Sequence, residues 1–266
     1  MPPGTSVSEI LATVERLAGH SLHSDEGVIV GSPDRLVQRV TVCWMATAPA
    51  LLQAAADSCQ LVVAHESVFY PYNARPEPGR TEPWEDWPTN RIRRQAIEEG
   101  NLTVARVHMT ADELCIFDTF AELLGLGTPE AHGHFNKVYE VPPLTLRELV
   151  QRVKNAVGMD HVRVSCPTGD IDRLVHRVGL PWGGLGLFVN VSYQNWAIER
   201  NCDVLIAGES DSYGFRFSAE CGIPMIETSH EASEIPGLRR FTELLAEHHP
   251  DVAWLFYDNG RPWTWL

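Results

Sequence analysis

The feature that most constrains this chain is an internal repeat. Asp34-Arg35-Leu36-Val37-Gln38-Arg39-Val40 matches Asp172-Arg173-Leu174-Val175-His176-Arg177-Val178 at six of seven positions, 138 residues apart, and Trp44 and Trp182 keep that offset. A second block, residues 59–67, matches residues 202–210 at an offset of 143. Two matching blocks in the same order mark a duplicated unit. In each copy the second block is an apolar run, Leu61-Val62-Val63-Ala64 or Val204-Leu205-Ile206-Ala207, that stops at a polar tip, His65-Glu66-Ser67 or Gly208-Glu209-Ser210. Such runs fit parallel strands buried on both faces, and open α/β sheets bind ligands at the carboxyl ends of these strands.

The rest of the pattern agrees. Apolar residues at helical spacing (Val7, Ile10, Leu11, Val14, Leu17) predict a helix over 7–18. Strands are expected at 28–30 and 39–44, a helix at 49–58, then the 61–64 strand, so the order is that of a βαβ unit. Residues 71–90, rich in Pro, Trp and charge, read as a long loop. A helix over 90–99, a strand over 102–107 and a helix over 117–124 follow. Residues 128–136, with His132 and His134 among glycines, read as a linker, and that His pair is a minor metal candidate. Then the pattern restarts: Thr145 and Glu148 form a capping box for a helix through Ala156, and strands follow at 162–166 and 224–227. The expected fold is α/β, with two duplicated, pseudo-symmetric lobes over residues 1–127 and 128–266.

Composition narrows the function classes. The formal net charge of −14 opposes binding to nucleic-acid phosphates, which draws on Lys and Arg. No apolar run approaches the ~20 residues of a membrane span. The first residues carry neither a basic n-region nor an apolar h-region, so a cytoplasmic location is expected. The six cysteines form no C-x-x-C and are expected as free, mostly buried thiols.

Three places pair a His with a carboxylate just after an apolar strand: His65-Glu66, His108 with Asp112, and His230 with Glu234. In the last two the spacing is i, i+4, which on a helix puts both side chains on one face about 5–6 Å apart at Cβ. A His and a carboxylate so placed can reach one ion, or the carboxylate can bridge two ions about 3.5–4 Å apart. Imidazole with carboxylate is a donor set for Zn, Fe(II) or Mn(II). Trp182-Gly183-Gly184-Leu185-Gly186 fits no standard phosphate loop and reads as a tight turn.

These residues resemble the GTP cyclohydrolase 1 type 2-like family of dinuclear metal-centre proteins, also described as NGG-interacting-factor-like hexameric proteins. The family's strand ending in His-His-Pro or His-Glu-Pro is similar to His65-Glu66-Ser67. Its His-x-x-x-Asp is similar to His108 through Asp112, its strand ending Gly-Glu to Gly208-Glu209, and its Gly-His-x-x-Thr/Ser-Glu to Ser229-His230-Glu231-Ala232-Ser233-Glu234. The resemblance covers residues 7–257. It departs from the family at Glu66, where most members carry His, at Ser67 for Pro, and at Ser229 for Gly.

The resemblance implies two related lobes with a dinuclear metal site in the cleft between them, and a toroidal homohexamer. Its implied ligands are His65, Glu66, Asp112 (bridging), His230 and Glu234, with His108 a further ligand or its neighbour. Glu209 is the implied catalytic carboxylate, either orienting a ligand His or acting as general base. Two divalent ions per chain (Fe, Zn or Mn) are the implied cofactors, and Glu66 in place of His makes the site more oxygen-rich. The implied activity is hydrolysis through a metal-bridging water of a small phosphoester, nucleotide or ring C–N bond. The rival reading is a non-enzymatic metal-binding ring, scaffold or metal sensor.

Overall fold

The computed structural model describes residues 4–265; residues 1–3 and 266, the ends of the two expected domains, lie outside the described residues. In chain order the elements are β1 (Thr5–Ser6), α1 (Val7–Ala18), β2 (Gly27–Val30), β3 (Leu36–Val37), β4 (Arg39–Cys43), α2 (Ala48–Ala56), β5 (Leu61–Ala64), α3 (Pro88–Glu99), β6 (Thr103–Arg106), α4 (Met109–Ala111) and α5 (Phe117–Leu123). Then come β7 (Pro129–His132), β8 (Lys137–Thr145), α6 (Leu146–Val157), β9 (Arg163–Ser165), β10 (Leu174–Gly179), α7 (Val191–Ile198), β11 (Val204–Ala207), α8 (Ser212–Glu220), β12 (Met225–Glu227), α9 (His230–His248) and β13 (Ala253–Tyr257). They form two compact units: the chain up to Ile116 with Gly237–Gly260, and Phe117–Pro236 with the chain from Arg261 onward.

The first unit holds a sheet of order β13-β4-β5-β6-β2. β13, β4, β5 and β6 run parallel, and β2 closes the edge antiparallel. Val40, Val42, Leu61, Val62, Val63 and Val104 are all buried, as a parallel sheet with covered faces requires. α2 and α3 cover it, packing Leu51, Ala54 and Ile97 into the same core as Val62 and Val104. The second unit holds a sheet of order β7-β8-β10-β11-β12-β9, parallel from β10 to β12 and antiparallel elsewhere.

The matched blocks fall on matching elements. β5 lies between β4 and β6, and β11 between β10 and β12. Ala64 faces Arg106 in one ladder, and Ala207 faces Glu227 in the other. Thr5 and Ser6 pair with Val37 and Leu36; Leu144 and Thr145 pair with Val175 and Leu174. Each following helix opens on a capping box, Ser6/Glu9 for α1 and Thr145/Glu148 for α6, and closes on a left-handed glycine, Gly19 or Gly158.

Two stretches differ from the sequence expectation, and a third had none. The linker over 128–136 contains a strand, β7, hydrogen-bonded to the long β8. Pro-Glu-Ala-His has little strand propensity; the ladder to β8 holds it at the sheet edge, where Pro is tolerated. The aromatic-rich Ala253–Tyr257 is a parallel strand beside β4. The long loop after β5 contains a short turn of helix at Pro83–Asp86, and it is pinned down. Asn90 is fully buried and joins Tyr70 and Trp84, while buried Glu85 pairs with Arg94.

Cys43, Cys59, Cys115 and Cys202 are buried thiols, and burial pushes Cys43 and Cys202 up to about 12, which keeps both protonated and unreactive. Among the described residues no helix is long and apolar enough to cross a membrane.

Candidate metal-binding site

The first unit carries its candidate donors on the carboxyl ends of β5 and β6. The chain past β5 stays in register: His65 N–H donates to Cys43 O (3.1 Å) and Glu66 N–H to Trp44 O (2.7 Å). His65, Glu66 and Asp112 are buried. His65 Nδ1–H donates to the Val107 carbonyl at 3.2 Å, which leaves the lone pair on Nε2. That Nε2 stands 3.8 Å from Asp112 Oδ1. The His65 and His108 rings tilt together with centroids 4.8 Å apart, and one ligand atom each from His65, Glu66 and His108 lies within 4.8 Å of the others.

Neighbours hold these donors in place. Arg106, the last residue of β6, is buried; its Nε donates to the His65 carbonyl at 3.0 Å, its Nη1 pairs with Asp25 at 2.7 Å, and its Nη2 donates to Tyr72 Oη at 3.0 Å. Glu66 Oε2 is 4.0 Å from the same guanidinium. Buried Glu26 accepts from the backbone N–H groups of His108 (2.6 Å) and Thr110 (3.0 Å) and from the Thr110 hydroxyl (2.6 Å). It thereby caps the turn that presents His108. Asp25 is held down to about 2, first by His108, whose Nδ1 is 3.6 Å away, and then by Arg106. Asp112 opens a π-helical stretch, Asp112–Ile116, a distortion frequent at functional sites.

The second unit brings Glu209, His230 and Glu234 together. Glu209 follows Gly208 at the end of β11; His230 and Glu234 share the first turns of α9, one helical turn apart as the spacing predicts. His230 has a carboxylate at each ring nitrogen: Nδ1 is 3.0 Å from Glu209 Oε2 and Nε2 is 3.1 Å from Glu234 Oε1. The hydrogen bond from His230 is the main reason that Glu209 is held below the usual carboxylate range. Glu231, buried beside it, is pushed up by loss of water.

Gly183 and Gly184 lie against His230 and Glu234. Gly183 has φ +51, and a Cβ on it would enter the Glu234 carboxylate; a Cβ on Gly184 would lie 3.2 Å from His230 Cε1. A Cβ on Gly208 would lie 2.5 Å from Ser233 Oγ, the atom that accepts from Gly183 N–H at 2.9 Å. Ser229 sits at φ +150, in the region that favours glycine, and it is the position where the resembling family carries Gly.

The residues fit a divalent cation by their chemistry. In His65, Nδ1 donates to a carbonyl, which directs the Nε2 lone pair at a carboxylate, and in His230 both ring nitrogens face carboxylates although a neutral imidazole carries a single proton. Two electron-pair donors aimed at each other need a proton or a cation between them, and imidazole with carboxylate suits Zn, Fe(II) or Mn(II).

Of the sequence candidates, His65, Glu66, His108 and Asp112 come together in the first unit, and Glu209, His230 and Glu234 in the second. His132 lies on β7 and His134 packs edge-on against Phe135; neither joins a metal-ligating cluster among the described residues. Sequence reasoning missed Asp25, Glu26, Arg106 and Tyr72. The double glycine at 183–184, read from sequence as a tight turn, lies against His230 and Glu234.

Comparison with known proteins identifies the family and the fold. The chain matches the Duf34/NIF3 (NGG1p interacting factor 3) family over residues 5–262. It is 29% identical over 128 residues to a Vibrio cholerae protein described as a GTP cyclohydrolase 1 type 2 homolog, a match spanning 48% of this chain and only 46% of that relative's length. Its fold is similar to that of a Bacillus cereus protein related to NIF3, at TM-score 0.79 and 14% identity, covering 99% of this chain and 100% of that one. It is likewise similar to the protein ybgI, described as of unknown function, at TM-score 0.78 and 21% identity, covering 97% of this chain and 100% of that one. The chain therefore belongs to the Duf34/NIF3 family.

Proposed function

We propose that this protein is a metal-dependent hydrolase that uses two divalent ions, with His65, Glu66, His108, Asp112, His230 and Glu234 as their ligands. The substrate class is a small phosphoester, a nucleotide or a ring C–N bond; the last is favoured by the relative described as a GTP cyclohydrolase 1 type 2 homolog. Divalent ions, when bound, supply charge that acidifies water and polarises the bond under attack. The protein's own part is to hold the donors. Arg106 and Glu26 fix the tips that carry His65 and His108, and the Gly183 backbone lies against Glu234. Glu209 holds the proton of His230 Nδ1 and so keeps Nε2 available; being held ionised, it acts through His230 rather than as a strong base.

The observation that carries this reading is His230 with a carboxylate at both ring nitrogens. The matching repeat blocks and ladder registers further support a duplicated chain, and the family resemblance supports a ring-shaped homohexamer. Glu209→Ala tests the function. Turnover on a panel of phosphoesters, nucleotides and cyclic ureides or purines should fall by roughly 10–100-fold, with a shifted pH profile and metal still bound. Absence of turnover by the metal-loaded wild type across the panel would instead favour the scaffold or sensor reading.

A further inference from the structure

A second His–carboxylate cluster lies outside the donor sets above. His20 and His23 sit on the loop after α1, and Glu113 is the second residue of the π-helical stretch that Asp112 opens. Their ligand atoms all lie within 4.8 Å of one another. His20 Nε2 is 2.6 Å from Glu113 Oε2, and His23 Nε2 is 3.7 Å from Glu113 Oε1. Donors of one ion with metal–ligand distances of about 2.0–2.2 Å stand roughly 3–3.5 Å apart, so these separations need only small side-chain adjustments.

The tautomer of His20 is set by its neighbour. Its Nδ1–H donates to the Ser21 carbonyl at 2.8 Å, which leaves the Nε2 lone pair facing the Glu113 carboxylate. A backbone carbonyl on the far ring nitrogen is the usual arrangement of a metal-bound His. His23 Nε2 is buried and makes no hydrogen bond, although its nearest partner is a carboxylate. The loop is fixed from both ends: Glu15 accepts from Leu22 N–H at 3.0 Å and Glu26 from His23 N–H at 2.8 Å. These two acids add negative charge around the cluster. The π-helical stretch has a use here, since its consecutive acids serve different groups: Asp112 Oδ1 stands 3.8 Å from His65 Nε2, and Glu113 approaches His20 and His23.

We infer that His20, His23 and Glu113 form a separate site for a single divalent transition-metal ion. The two-His, one-carboxylate set suits Zn(II) or Fe(II) over Mg(II) or Ca(II), which favour all-oxygen donors. His20, with 36% of its side chain exposed, provides the side from which an ion enters. This inference is independent of the proposed hydrolase activity.

The test is titration of the metal-free, full-length protein with Zn²⁺ by calorimetry and equilibrium dialysis. His20→Gln with His23→Gln should remove about one equivalent per chain and leave the remaining equivalents unchanged. In a His65→Ala background that same equivalent should persist. The single variant His20→Gln, at a half-exposed position, guards against misfolding: with EDTA its unfolding temperature should equal that of wild type, and its Zn²⁺ affinity at this site should fall by roughly 10-fold or more. Equal stoichiometry and affinity in the wild type and the double variant would overturn the site and leave His20 and Glu113 as an imidazolium–carboxylate pair.

Discussion

The ends of β6 and β12 carry opposite charges in the same place. Arg106 and Glu227 occupy equivalent ladder positions, opposite Ala64 and Ala207. Each is buried and each pairs with a residue from the antiparallel edge region: Arg106 with Asp25 just before β2, Glu227 with Arg163 on β9. Each pair also ties down the neighbouring tip, since Arg106 donates to the His65 carbonyl and Arg163 to the Ser210 carbonyl at 2.6 Å. The task is the same and the charges are exchanged. What differs is where water reaches. Arg106 is buried within its pair, whereas the Arg163 side chain is 46% exposed.

The tips themselves differ more deeply. In the first unit the end of β5 carries side-chain donors, His65 and Glu66. In the second, Gly208 replaces the His, and the Gly183 backbone occupies the space, pressed against Glu234 and Ser233. The donors of the second unit come instead from α9. The ladders also show that the two i, i+4 pairs are not strict equivalents. Val107 N–H bonds to Ala64 O as Thr228 N–H bonds to Ala207 O, so His108 corresponds to Ser229, and His230 is one residue later. The two sheets place their candidate donors by different routes.

The charge exchange can be broken directly. Arg106→Met removes a buried guanidinium that serves Asp25, Tyr72 and the His65 carbonyl, and should cost about 3–5 kcal/mol of unfolding free energy in urea titration. Glu227→Gln leaves an arginine that can turn to water, and should cost about 1–3 kcal/mol. Equal losses, or the reverse order, would contradict the reading of the two pairs.

The glycine route comes next in size. Gly183→Ala drives a methyl group into the Glu234 carboxylate at a left-handed backbone position, and should lower metal affinity by roughly 10–100-fold with the fold retained. Unchanged affinity would mean that this close approach does not matter. A gain is expected at Ser229→Gly. Relief of φ +150 is partly offset by loss of the Ser229 Oγ bond to Ala232 N–H, for a net stabilisation of about 0.5–1 kcal/mol in thermal unfolding. A loss of stability would show that the cap outweighs the strain.

The smallest effect is shared by both units. Glu9 and Glu148 are held below the usual range by the backbone N–H groups of Ser6 and Thr145. A depressed folded-state pKa contributes stability above the unfolded value, near 4.5, and that contribution is lost as pH falls through the folded value. Glu9→Gln and Glu148→Gln should each flatten the acid limb of a stability–pH curve slightly and by similar amounts. A flattening confined to one variant would break the equivalence of the two caps.

The grouping of the candidate donors was legible in the sequence because strand ends and helix spacing place side chains by simple periodicity. Leu61–Ala64 followed by His65-Glu66, and His230 four residues before Glu234, are local patterns. The supports were not legible, because they reach across the fold. Glu26 meets His108 from 82 residues away and Arg106 meets Asp25 from 81, distances that no local pattern encodes. β13 escaped for the same reason, since its ladder partner β4 lies far back along the chain, whereas β7 escaped because Pro129–His132 has little strand propensity and is held by the neighbouring β8. Gly183-Gly184 lay between these cases: the tight turn was visible, but not the His230 and Glu234 side chains that lie against it.

The proposed metal ligands are tested most directly by metal stoichiometry and affinity in single variants. In a His20→Gln, His23→Gln background, equilibrium dialysis against Mn²⁺ or Zn²⁺ should give about two ions per chain, and His65→Ala and His230→Ala should each weaken binding of those ions by at least roughly 10-fold. Binding below about one ion per chain, or loss in one variant with full retention in the other, would contradict the account.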